Sequence, residues 1–265
     1  EYALTVQIQE GQKGAPPFAG LVPPGSAVFF DWPYYDKTSI YLTALTSFTN
    51  GYSLKTRLYY DSFENQLKRY DNANYNSQFL PFAFTSSYDD DTWGGSSELT
   101  IPVTASGELK LAAFAKLDTH RETPLNGPTS KMRDLTTSAA ASLRIPLVGK
   151  LTGTAGLSYD RRDAKRADDP AFGGAVAFPI SDQDAINWQF GAEYDLTRKI
   201  QIYTGISHKT RFATMFERYS YRLGNGLPNP QLKPEELLTV EAGVRGSFIN
   251  WLSGSAGIFW GKADN

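Results

Sequence analysis

The chain has no cysteine, which removes disulfide scaffolds, thiolate metal sites and a cysteine nucleophile together. Its two histidines, His120 and His208, stand far apart with no ligand-spaced partner, so no metal site is expected. Asp89, Asp90 and Asp91 lack the spacing of a calcium-binding loop. Charge of either sign is not in excess: 26 basic and 28 acidic residues give a net charge of −2, too little field to gather nucleic acid. Also missing is any run approaching the roughly 18 apolar residues of a membrane-spanning helix. There is no nucleophile elbow, no phosphate-cradling loop and no dinucleotide fingerprint, so neither an enzyme nor a cofactor is expected.

What remains is a two-sided pattern. Aromatic residues make up 14% of the chain while all hydrophobic residues total only 41%, a balance suited to surfaces that are half apolar and half wet. Between Asn187 and Asp195 the alternation is unbroken. Trp188, Phe190, Ala192 and Tyr194 fall on one side, and Asn187, Gln189, Gly191, Glu193 and Asp195 on the other. A strand has a side-chain period of two, so such a segment separates two environments. The same writing recurs at Leu109–Leu117, Leu135–Leu147, Leu238–Phe248 and Leu252–Trp260. A tilted strand crosses hydrocarbon in about 10 residues, of which only every second one must be apolar.

The connections sort into two kinds. Tight turns fall at Asn50-Gly51, Ser106-Gly107, Val148-Gly149, Thr197-Arg198 and Asn250-Trp251. Longer polar or aromatic stretches alternate with them, at Glu10–Asp36, Asn65–Asp90, Asp118–Asp134, Arg161–Asp184 and Arg211–Glu235. Short turns at one end and long loops at the other describe an all-β, antiparallel, up-and-down transmembrane barrel, and a soluble β-rich protein is the less fitting alternative. Leu54, Thr56, Leu58 and Tyr60 are assigned to lipid, with Lys55, Arg57, Tyr59 and Asp61 to the lumen. Leu99, Ile101 and Val103 share the lipid side with Leu109, Leu111, Ala113, Ala115 and Leu117 and the odd residues of 135–147. Tyr52, Tyr194, Phe248, Trp251 and Trp260 fit headgroup level. About 11 strands are counted, an open set, so the chain is expected to be a fragment of a barrel.

From Ser207 the sequence reads Ser207-His208-Lys209-Thr210-Arg211-Phe212-Ala213-Thr214-Met215-Phe216-Glu217, then Asn229-Pro230-Gln231-Leu232-Lys233-Pro234-Glu235, then Val240-Glu241-Ala242-Gly243. These segments resemble TonB-dependent outer-membrane receptors, and Trp32–Lys37 with Leu54–Asp61 are similar to the iron-complex receptors among them. The resemblance implies a barrel of about 22 strands plugged by a separate N-terminal domain, with residues 1–265 forming the central part. It further implies active transport of a scarce nutrient, a ferric siderophore first, powered by the TonB complex through the plug. Cobalamin, haem and oligosaccharide stand behind, and a passive porin shares every feature except the Asn229–Glu235 box. In that box Pro230 and Pro234 fix φ and hold their predecessors extended, so Phe212, Asn229, Pro230, Leu232, Lys233, Pro234, Glu235, Glu241 and Gly243 are read as structural.

Ligand contact is expected from outer loops. Tyr70, Tyr75, Phe79, Phe82, Phe84 and Tyr88 offer aromatic planes in a stretch that otherwise reads as exposed. Arg211, Arg218, Tyr219, Tyr221 and Arg222 offer guanidinium and phenol groups to an anionic chelate. The run Arg161-Arg162-Asp163-Ala164-Lys165-Arg166 is placed against lipopolysaccharide phosphates, with a solvated charged face as the alternative.

Overall fold

The computed structural model describes residues 1–15, 27–172, 174–221, 226–249 and 251–264, apart from the side chain of Phe248. It is a single antiparallel sheet. Its strands are β1 (Tyr2–Gln9), β2 (Lys13–Ala15), β3 (Phe29–Trp32), β4 (Tyr35–Ser47), β5 (Ser53–Tyr70), β6 (Phe84–Thr104), β7 (Gly107–Pro124), β8 (Ser130–Val148), β9 (Leu151–Ala167), β10 (Gln183–Asp195), β11 (Ile200–Arg211), β12 (Glu235–Ile249) and β13 (Leu252–Asp264). One helix, α1 (Met215–Tyr219), and a 3₁₀ turn at Pro170–Phe172 interrupt the loops. Eleven strands follow one another in the order β1-β4-β5-β6-β7-β8-β9-β10-β11-β12-β13, while β2 and β3 add to the outer end of β5. The sheet is up-and-down and unclosed, with β1 and β13 at its free edges.

The register carries the expected faces across the whole sheet. Leu58 pairs with Leu42 and Gly95, Trp93 with Leu117, Leu117 with Leu135, and Leu157 with Trp188. Continuing, Phe190 pairs with Ile206, Ile206 with Val240, and Val240 with Trp260. A side-chain period of two therefore lays these residues in one continuous apolar band on the outer wall. Leu58, Leu157, Phe190 and Trp260 are exposed, because nothing among the described residues covers them. Aromatic pairs mark the upper margin, with Tyr60 against Trp93 (4.5 Å) and Trp188 stacked on His208 (5.9 Å).

The inner face is polar and fitted by glycines. A Cβ on Gly94 would lie 2.2 Å from the Tyr59 ring, and one on Gly243 would lie 2.5 Å from the Tyr203 hydroxyl. Each glycine thus gives a tyrosine room to lie flat across the neighbouring strand, which accounts for Gly243 in the Glu-x-Gly segment.

The strands overrun the alternation that announced them. The expected loop at 118–134 is mostly strand, since β7 continues to Pro124 and β8 starts at Ser130. Above the lipid both faces meet polar surroundings, so hydrophobic alternation stops while ladder pairing continues. Cross-strand side-chain bonds hold this upper sheet: Thr92 to Asp118 (2.8 Å), Ser86 to Glu122 (3.0 Å), and His120 to Asp90 (2.6 Å). For the same reason Phe84 and Tyr88, expected in a loop, lie in β6. The turn at Asn250 and the side chain of Phe248 lie outside the described residues.

Candidate functional site

Residues 212–221, which follow β11, fold inward onto the wall of the upper lumen. Arg211 closes β11 and clamps two carboxylates. Its guanidinium donates to Glu235 at 2.9 and 2.7 Å and to Glu217 at 2.9 and 3.0 Å. Thr214 then caps α1 through a capping box: its hydroxyl accepts the Glu217 N–H, and the Glu217 carboxylate accepts the Thr214 N–H. The Arg211 bonds, followed by the Thr214 N–H, pull the Glu217 carboxyl down to about 2. Arg211 likewise lowers that of Glu235.

One turn later the chain is anchored. Arg218 is fully buried and pairs with Asp134 of β8. It also donates to the Ala213 carbonyl (3.1 Å) and the Tyr219 hydroxyl (2.6 Å). Arg162 of β9, on the same inner face, donates to that Ala213 carbonyl at 2.7 Å. Tyr219, also fully buried, stacks on Phe178 at 5.5 Å beside Met132 and Ala167. The Tyr221 hydroxyl donates to the Asp169 carboxylate at 3.0 Å, and its pKa rises through burial and that charge.

The Asn-Pro box is stitched to the wall through its backbone. The Pro230 carbonyl accepts from the Ser181 hydroxyl (3.0 Å), and that of Leu232 accepts from the Gln183 amide (2.8 Å). The Leu232 N–H bonds back to the Asn229 carbonyl (3.1 Å), Lys233 points into solvent, and Pro234 leads into β12 at Glu235. Phe212 lies 5.9 Å from the Arg162 guanidinium. Glu241 sits on the inner face beside Gly205.

The loop between β5 and β6 divides its aromatics. Tyr75, with φ of 54°, packs edge-on to Tyr70 (5.5 Å) and Phe29 (6.0 Å). Phe79 is 93% exposed, and Phe82 lies partly exposed beneath Arg69 (4.7 Å). Asp71 holds the Phe79 and Leu80 N–H groups at 2.7 and 3.1 Å, fixing the presented tip. Of the residues expected to meet ligand, Phe79 and Phe82 are presented, whereas Tyr219 is buried and Arg211 and Arg218 already hold carboxylates. Arg222 lies outside the described residues.

Below the inward segment runs an inner-wall groove of about 460 Å³, lined by Ser138, Ser158, Asp160, Asn187 and Gln189 under Phe212. Asp160 accepts from Ser158 (2.7 Å) and Asn187 (2.6 Å), while Asn187 accepts the Thr210 N–H (2.7 Å). The sequence places Asn187 and Gln189 on the wet face, but none of these residues stands out there as a site, because each is one of many alternate polar positions. Among the described residues no group of three or more His, Asp or Glu is disposed to hold a metal ion.

An open, up-and-down sheet with an apolar outer belt, a polar inner wall and loops sorted by length defines a piece of a transmembrane β-barrel. Residues 8–265 match the family described as TonB dependent receptor-like, beta-barrel, and the chain belongs to that family. Similar solved structures include the copper transporter OprC (TM-score 0.74, 16% identity, 98% of this chain and 45% of that one). A Serratia marcescens hemophore receptor, HasR, solved with its hemophore HasA and heme, is also similar (TM-score 0.66, 16% identity, 100% and 43%). So is the siderophore receptor PiuA from Acinetobacter baumannii (TM-score 0.64, 13% identity, 97% and 47%). The chain thus spans less than half the length of each. No curated protein matches the sequence.

Proposed function

We propose that this chain forms part of the barrel wall of an outer-membrane receptor that imports a ferric siderophore, energised by TonB through a plug domain. The observation that carries the reading is the family match over residues 8–265 joined to the inward-folded, ion-paired segment Arg211–Tyr221. The family match supports a gated receptor over a passive pore. The siderophore receptor among the similar structures supports this cargo class. Capture begins at Phe79 and Phe82, whose exposed planes suit an aryl or macrocyclic chelate. No covalent chemistry takes place on this wall.

The test is growth of a deletion strain on single iron sources, with and without the intact gene. Rescue on one ferric chelate, lost when TonB is removed, is expected. Equal growth without the gene on every iron source, or rescue independent of TonB, refutes the assignment.

A further inference from the structure

On the outer wall, above the apolar belt, four cations share one face of β7, β8 and β9. Arg121 stands opposite Lys131, and Arg133 stands opposite Arg166. Like charges directly opposite on a sheet repel, so the arrangement is unfavourable unless something neutralises it. Part of the charge is met within the chain. Arg121 reaches Asp91 at 2.6 Å and Asp89 at 3.4 Å, and Arg166 chelates Asp168 at 2.9 and 2.8 Å. Lys131 and Arg133 have no ion-pair partner among the described residues, and the Nε of Arg133 is buried with no hydrogen-bond partner. Burial, then the fields of Arg133, Arg121 and Arg166, depress the Lys131 pKa, and Asp91 only partly opposes them.

The position of this cluster matters as much as its charge. Leu117 and Leu135, the paired residues topping the belt on β7 and β8, share the outer face with Arg121 and Arg133. At about 3.3 Å per residue the cations begin roughly 7 Å beyond them along the strands. Directly below opens an outer-wall groove of about 790 Å³, floored by the small residues Gly95, Ser97, Ala113 and Ala115 and flanked by Leu58 and Trp93. An anion site therefore continues into an acyl-sized apolar trough.

We infer that Lys131 and Arg133, with Arg121 and Arg166 around them, bind the phosphate of an outer-leaflet lipid whose acyl chain lies in the groove of Gly95 and Ala115. The inference rests on the barrel and orientation of the proposed function. It shares only Arg166 with the run at 161–166: Arg162 faces the lumen, while Arg161 and Lys165 are held by Asp163. Clustered cations at headgroup level are the physical signature of anionic-lipid recognition.

The experiment uses the full-length receptor, delipidated in neutral detergent, as wild type and as the double variant Lys131→Gln/Arg133→Gln. Probes are lipid A with both phosphates, the same lipid stripped of phosphate, and inorganic phosphate, each followed by native mass spectrometry and thermal melting. Binding of diphosphorylated lipid A is expected to weaken about 10- to 30-fold in the double variant. The variant should also melt higher than wild type without lipid, because repulsion is relieved, and lower than wild type with lipid A. Equal lipid A binding by both proteins, equal binding of the stripped lipid, or full competition by inorganic phosphate would overturn the lipid site. Failure of wild type to fractionate with the outer membrane would instead overturn the barrel reading beneath it.

Discussion

Replacing Asp134 by Asn should free the inward segment from the wall. Asp134 is the carboxylate paired with Arg218, and Arg162 lies close enough for both cations to act on it. All three side chains are at least nine-tenths buried. Removing the one anion leaves two guanidiniums in a dry site, and breaking a buried pair this way costs about 3–5 kcal/mol. The barrel ladder does not depend on that contact, so the loss falls on local opening of the loop. The helical amides of Arg218 and Ser220, which bond to Thr214 and Phe216, report it. Their hydrogen exchange should accelerate roughly a hundred- to several-thousand-fold, at about 1.4 kcal/mol per tenfold, while strand amides stay protected. Arg218→Met leaves Asp134 facing Arg162 and should open the loop less than Asp134→Asn does. The double variant should cost less than the sum of the singles, since it removes one stranded cation. Unchanged exchange at Arg218 and Ser220 in Asp134→Asn, or simple additivity in the double variant, refutes the reasoning.

Three further outcomes follow from the register and the turns. Ala242→Arg places a cation on the lipid face and should cost about 2–4 kcal/mol and impair assembly, whereas Glu241→Arg on the inner face should be tolerated. Folded fraction by heat-modifiability measures this, and equal tolerance would reverse the face assignment. Burial opposes protonation of His120, but its bond to Asp90 and that carboxylate's charge outweigh burial and raise its pKa above 6.5. The stability it adds is therefore fully present below pH 6.5 and lost as pH rises through the raised value. His120→Gln should flatten this part of the melting-temperature profile between pH 6 and 9, and an unchanged slope counts against the pair. Gly246 has φ of 150°, and a Cβ there would meet the Lys199 carbonyl at 2.0 Å, so Gly246→Ala should cost about 1–3 kcal/mol in chemical unfolding.

The membrane-facing half of each strand was legible because hydrocarbon enforces its alternation residue by residue: Trp188, Phe190, Ala192 and Tyr194 could not be written otherwise. The upper sheet was not, because Asp118–Asp134 meets polar surroundings on both faces and carries no period. The helix α1 has five residues, too few to show a helical repeat. Arg218 looked like a ligand-seeking loop cation because its partner, Asp134, lies 84 residues away in sequence. A lone arginine does not announce a distant carboxylate, and the strand register that unites them appears only in three dimensions.

The charges of the inner wall have a further consequence for the proposed transport. Glu193 is gripped by Arg144 (2.8 Å) and Arg245 (2.5 Å), and Asp61 by Ser39 (2.5 Å), Tyr41 (2.8 Å) and Lys37 (3.5 Å). Asp118 is held by Thr92 and Lys116 at 2.8 Å each, and Asp160 by Ser158 and Asn187. A charged cargo passing these four carboxylates meets groups already satisfied by their neighbours, so gaining a contact means breaking one. Net attraction to these carboxylates is weak for that reason. A strongly binding wall would hold cargo in mid-passage, whereas one neutralised in place lets it move on. Affinity in the proposed receptor is then better placed at its outer rim, where the Phe79 ring stands 93% exposed and Phe82 meets the Arg69 guanidinium at 4.7 Å.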